Sequence, residues 1–296
     1  MKSCFAVSLS LPFFFFFLKT FSTEDAPEYL YHRCPNTTFF APNSTYQSNL
    51  NTLLSSLSSA STNSAVGFAN ATAGQNPPNR AYGLFLCRGD LDMARCSDCV
   101  ATGKQEILQK CPNQRVSVIL YDECILRYSN QSLFSVMEQE PFFTLSNIWN
   151  ITNSTKFMDV LLETMREVTA GALAGGSGKK VAAMEENFTS SQKLYALVQC
   201  TPDLTAWDCN TCLQLGNSHL FQGKRGGRVL TPSCYVRYEL YPFYNASALA
   251  MPARPPLSPA PPLLAPAPPP PAPMTQPRGT FVFVLLVFLR ANSPFY

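Results

Sequence analysis

The same cysteine spacing occurs twice along this chain, and no other feature constrains its fold as much. Cys87, Cys96 and Cys99 form a Cys-x8-Cys-x2-Cys pattern that returns at Cys200, Cys209 and Cys212, 113 positions later. The surroundings return with it: Tyr82-Gly-Leu-Phe-Leu-Cys87 and Asp90-Leu91 are matched by Tyr195-Ala-Leu-Val-Gln-Cys200 and Asp203-Leu204. Downstream, Cys124 with Arg127-Tyr128 is matched by Cys234 with Arg237-Tyr238, 110 positions later, so a short deletion separates the two blocks. A fixed internal period means one folding unit used twice. Copies over residues 28–135 and 140–247 are each of ordinary domain size, large enough for a modest core.

Within each copy the same elements follow in order. Leu50, Leu53, Leu54 and Leu57 recur at helical spacing in the first copy, and Phe157, Val160, Leu161, Met165 and Val168 do so in the second. A strand then leads into Cys87 or Cys200, a second helix carries the Cys-x-x-Cys pair, and apolar stretches at Val116 to Leu126 and Arg228 to Tyr244 read as paired strands. Helices and strands segregated in this way predict an α+β fold with an antiparallel sheet.

The flanks set the compartment. Lys2 precedes an apolar run from Cys4 to Leu18 that turns polar at Ser22, which reads as a secretory signal over residues 1–22. Its removal takes Cys4 away and leaves ten cysteines, an even number suited to full pairing outside the cell. It also lowers the formal charge from +3 to +1, and with no Lys/Arg run this gives no footing for nucleic acid. Eight Asn-x-Ser/Thr sequons, at Asn36, Asn43, Asn70, Asn130, Asn150, Asn153, Asn187 and Asn245, fit a secreted glycoprotein. Thirteen of the 25 prolines lie between Pro252 and Pro277, so residues 248–279 read as an extended linker. The tail, residues 280–296, carries an apolar run only from Phe281 to Leu289, too short to cross a bilayer, and no stable membrane insertion is expected.

These repeats resemble the plant cysteine-rich secretory repeat, the ginkbilobin-homologous or salt-stress/antifungal domain. It is found in secreted double-domain proteins and in the ectodomains of cysteine-rich receptor-like kinases. The resemblance includes Tyr121-Asp-Glu-Cys124, Gly226-Gly-Arg-Val229 and Pro232-Ser-Cys234 with Arg237-Tyr-Glu-Leu-Tyr-Pro-Phe-Tyr244. It implies two helices on a five-stranded antiparallel sheet in each copy, stapled by disulfides. The spacing alone leaves fifteen pairings of six cysteines open; the resemblance implies Cys34 with Cys111, Cys87 with Cys96 and Cys99 with Cys124. In the second copy it implies Cys200 with Cys209 and Cys212 with Cys234. Phe221 stands where the fifth cysteine belongs, and no cysteine between 125 and 199 serves as the first. The second domain is therefore expected to be the less stable alone, with a contact to the first as compensation.

Function is expected to be binding in the apoplast, in stress or defence, and not catalysis. The Cys96-x-x-Cys99 and Cys209-x-x-Cys212 pairs suggest a thiol-disulfide oxidoreductase or a zinc site, but each cysteine has a framework partner elsewhere, so neither cofactor nor metal is expected. The histidines, His32 and His219, belong to no hydrolase motif, and no kinase signature follows the repeats. Two binding readings remain. In the antifungal member, mannose is held by an Asn next to the first cysteine, an Arg seven after the fifth and a Glu five after the sixth. The first copy has Pro35, Val118 and Ser129 there. The second has Arg228 and Glu239 but, with no first cysteine, no neighbouring Asn. Arg228 and Glu239 either hold a sugar, as in a mannose-type antifungal lectin, or form an ion pair between strands. The other reading is a module that meets an extracellular protein or a cell-wall glycan.

Overall fold

Each repeat builds five strands and two helices in the same order. The computed structural model describes residues 26–152, 154–175, 178–220 and 223–249. The expected signal and tail, all of the expected linker but residues 248 and 249, and also Asn153 and Phe221, lie outside the described residues. The first repeat runs β1 (Tyr29–Arg33), α1 (Thr45–Ser61), β2 (Phe68–Ala73), β3 (Ala81–Cys87), α2 (Met93–Lys110), β4 (Ser117–Tyr121) and β5 (Cys124–Ser129). The second runs β6 (Phe143–Ser146), α3 (Ser154–Ala174), β7 (Lys180–Asn187), β8 (Lys193–Cys200), α4 (Ala206–Ser218), β9 (Gly226–Leu230) and β10 (Cys234–Glu239), followed by one turn, α5 (Ala246–Leu249). The two sheets are antiparallel with matching orders, β1-β4-β5-β3-β2 and β6-β9-β10-β8-β7. This is the α+β fold of two helices on a five-stranded sheet, twice.

Local chemistry explains the elements. On α1, Leu50, Leu53, Leu54 and Leu57 share one face and are all buried, while Ser44 caps the start by accepting the Gln47 N–H. Asp92 and Thr205, at the same place in the repeat, cap α2 and α4 by accepting the N–H three residues on. α2 and α4 each carry two cysteines inward. Disulfides join Cys87 to Cys96, Cys99 to Cys124 and Cys34 to Cys111 in the first repeat, and Cys200 to Cys209 and Cys212 to Cys234 in the second.

Alternation along the central strands decides which face meets what. Cys124, Leu126 and Tyr128 of β5 turn to their helices, as do Cys234, Val236 and Tyr238 of β10. The opposite faces meet each other. Val118, Leu120 and Ile125 pack with Leu197, Leu230 and Tyr235 in a shared core, and Tyr31 of β1 stacks on Phe143 of β6 at 5.2 Å. The two sheets are thus back to back, with helices outside. Polar contacts recur across this seam with the repeats exchanged: the Ser135 N–H donates to Asp203 at 2.6 Å, and the Asn245 N–H donates to Asp90 at 3.0 Å. The stretch read as strand from Arg228 to Tyr244 leaves the sheet at Glu239, because the chain turns there towards the first repeat, where the Phe243 carbonyl accepts from Arg88.

Strand register locates the second repeat's missing bridge. Arg33 pairs with Val118, and Leu145 pairs with Arg228 at the matching place, so Ser146 holds the position of Cys34.

Candidate functional site

The densest polar cluster lies at one end of the seam. Asp122, in the turn between β4 and β5, is buried and accepts from three guanidinium groups. Arg88 reaches it at 2.6 Å, Arg228 at 2.5 Å and Arg237 at 3.0 Å to both oxygens; the Tyr235 hydroxyl adds a bond at 3.1 Å. Arg88 belongs to the first repeat, and Arg228 and Arg237 to the second. Further carboxylates balance the cations: Asp90 on Arg88, Glu239 on the Arg237 Nε at 3.1 Å and Glu28 on Arg228 at 2.9 Å. Burial raises the Asp122 pKa, but the charges of Arg237, Arg88 and Arg228 outweigh it and hold the carboxyl below its ordinary value. Burial dominates at Glu239 and raises its pKa above the ordinary value despite Arg237.

Both sugar candidates sit in this cluster, and they are not paired with each other. The ion pair considered between Arg228 and Glu239 is corrected by register: Arg228 lies opposite Arg237, while Glu239 lies opposite Gly226. Arg237 takes Glu239, and Arg228 turns across the seam to the first repeat. Gly226 leaves room for the carboxylate, since a Cβ there would stand 1.9 Å from Glu239 Oε2. The missing Asn is also corrected. With Ser146 at the place of Cys34, Asn147 stands where the sugar-contacting Asn belongs, and its backbone N–H donates to the Gly226 carbonyl at 2.9 Å. Its side-chain oxygen accepts the Trp149 N–H at 2.8 Å. Sequence reasoning missed Asn147 because the cysteine that marks the position is gone. It missed Asp122 because the partners it takes from the second repeat, Arg228, Tyr235 and Arg237, are more than a hundred positions away.

The first repeat's counterpart differs. Pro35, Val118 and Ser129 converge, but on a cavity of about 90 Å³ that the buried Arg127 also lines. Elsewhere the remaining candidates are accounted for. His32 bonds to the Tyr29 hydroxyl beside the bridged Cys34 and Cys111, whose sulfurs are bonded to each other. His219 packs on Phe142. Of the described sequons, Asn36, Asn43, Asn70, Asn150, Asn187 and Asn245 are exposed and Asn130 is half-buried. Among the described residues no helix is long and apolar enough to cross a membrane.

Comparison with known proteins follows the same lines. A family profile described as Salt stress response/antifungal matches residues 33–131 and 145–241. Cysteine-rich receptor-like protein kinase 25 of Arabidopsis thaliana is 48% identical over 266 residues, covering 87% of this chain and 39% of the relative. Cysteine-rich receptor-like protein kinase 6 of the same plant is 45% identical over 256 residues, covering 84% and 38%. The chain thus spans about two fifths of the length of these relatives. Among solved structures, the tandem DUF26 ectodomain of the Arabidopsis thaliana cysteine-rich receptor-like protein PDLP8 superposes with a TM-score of 0.62 at 22% identity, over 72% of this chain and 98% of that one. That is a likeness of fold.

Proposed function

Because the chain belongs to the salt stress response/antifungal family, we propose that its two repeats act as one rigid recognition unit in the apoplast, for a protein partner and not as a mannose lectin. The observation that carries this reading is the state of Arg228. Both arms of its guanidinium are held by carboxylates of the first repeat, Asp122 and Glu28. A hexose that used Arg228 would have to displace Glu28 from one arm and compete on the other with the buried Asp122 carboxylate, whose loss of a charged partner is expensive. Asn147 and Glu239 are likewise engaged, with Trp149 and Arg237. The same residues serve better as the lock that fixes one repeat against the other. A fixed geometry favours binding by limiting the entropy lost on association.

The lectin reading keeps one supporting observation: Asn147, Arg228 and Glu239 all stand at the family's sugar-contacting positions in one repeat. An array of mannosides and wall glycans separates the two readings, probed with full-length protein recovered from plant-cell medium. It should stay blank. Saturable mannoside binding would overturn the protein-recognition reading.

A further inference from the structure

Arg127 and Arg237 hold the same position in the two repeats, and both are buried, yet neither carboxylate beside Arg237 has a counterpart at the matching place beside Arg127. Arg237 meets Asp122 through Nη1 and Glu239 through Nε. At the matching places around Arg127 stand Pro232 and Ser129, and the Ser129 hydroxyl already accepts the Gln131 N–H. Arg127 has one carboxylate instead, Glu138, at 2.6 Å from Nη1, with a side chain 43% exposed. Its Nη2 donates to the Leu133 carbonyl, and its buried Nε has no hydrogen-bond partner among the described residues. Burial lowers the Arg127 pKa by more than the charges of Glu138 and Asp203 restore.

The cavity lies in the gap so described: Pro232, Ser129 and Glu138 line it together with Arg127. Arg33 stands at the rim, half exposed and 3.9 Å from Glu140. We propose that this cavity binds a small carboxylate anion, which takes the part beside Arg127 that Asp122 and Glu239 take beside Arg237. A guanidinium fork matches a carboxylate better than any other common anion except phosphate. The two lining acids, Glu138 and Glu140, balance Arg127 and Arg33, so an incoming carboxylate competes with Glu138, the acid bonded to Arg127 among the described residues. Pro35, Val118 and Ser129 offer none of the three side chains with which the family holds mannose, so this is a different chemistry from the sugar site. The inference stands apart from the protein-recognition reading.

The test uses the full secreted chain, nitrogen-labelled, with sodium acetate as the probe and acetamide as its neutral match, at constant ionic strength. Acetate should shift the Arg127 Nε–Hε resonance saturably, and acetamide should not. Glu138→Gln removes the competing acid from a half-exposed position and should tighten acetate by about tenfold, the worth of one charged hydrogen bond. Arg127→Gln lacks that resonance and is followed through the backbone amides of Val118 and Ser129, which line the cavity and which acetate should then leave unmoved; if that variant does not fold, Glu138→Gln carries the test. No saturable effect of acetate in wild type and Glu138→Gln, or an equal effect of acetamide, would overturn the proposal.

Discussion

Asp122→Asn is expected to lower the stability of the folded chain by about 3–5 kcal/mol, the range found when one partner of a buried ion network is removed. The substitution keeps the shape and deletes the charge. It leaves Arg88, Arg228 and Arg237 crowded around a neutral amide. At roughly 2–4 °C per kcal/mol for a unit of this size, the melting temperature should fall by about 10 °C. The loss should appear first at the seam, as faster hydrogen exchange in β4, β5, β9 and β10. The same network gives a pH dependence with a definite sign. Asp122 has a depressed pKa in the folded state, so its contribution is present above its unfolded value, near pH 4, and drains away as pH falls through the folded value. Glu239 is raised and works the other way, favouring the folded state as it takes up its proton. In Asp122→Asn the acid-side loss should shrink, and urea midpoints between pH 2 and 5 would measure it. A melting temperature within a degree of wild type would mean that the three arginines are stabilised by something else.

A comparable effect is expected at the other end of the first repeat. Cys34→Ser with Cys111→Ser opens a loop of 77 residues and should remove about 4 kcal/mol in the chain-entropy model. The bridge ties the end of β1 to the end of α2, and among the described residues β1 is an edge strand paired with β4 alone. Glu28, which holds Arg228, immediately precedes it. Loosening β1 should therefore weaken the grip on the second repeat too, and the double variant should show raised exchange on both sides of the seam. Denaturation under non-reducing conditions, followed by fluorescence, gives the size of the loss. Confinement of the raised exchange to β1 and α2 would show that the bridge does not support the seam. In the second repeat Ser146 holds this position without a bridge, and Phe143 of the same strand stacks on Tyr31.

Much of this fold was legible because its determinants are local. The leucines of α1 mark a helix face by spacing alone, and Asp92 and Thr205 mark helix starts by their chemistry. The cysteine period revealed two copies of one unit. What the sequence did not disclose is how the copies meet, since Asp90 and Asp203 repeat visibly but their partners, Asn245 and Ser135, lie in the opposite repeat. The sheet also ends earlier than the apolar run past Glu239 implies, because that segment packs across the seam. A local trace of the charged cluster does exist: Ile125-Leu-Arg-Tyr128 and Tyr235-Val-Arg-Tyr238 each place an arginine inside an apolar strand. A cation there demands a buried anion. For Arg237 the buried anion is Asp122 of the other repeat, so there the sequence shows the demand without the partner. Asn147 was hidden for a different reason, since only strand register reveals a position whose marker cysteine is absent.

The central claim is that Arg228 locks the repeats together and does not hold sugar. Arg228→Ala tests it directly, with the melting temperature and a calorimetric mannose titration measured on the same full-length preparations. The account predicts a melting temperature several degrees below wild type and no mannose heat from either protein. Mannose binding by wild type that disappears in Arg228→Ala, at an unchanged melting temperature, would contradict it.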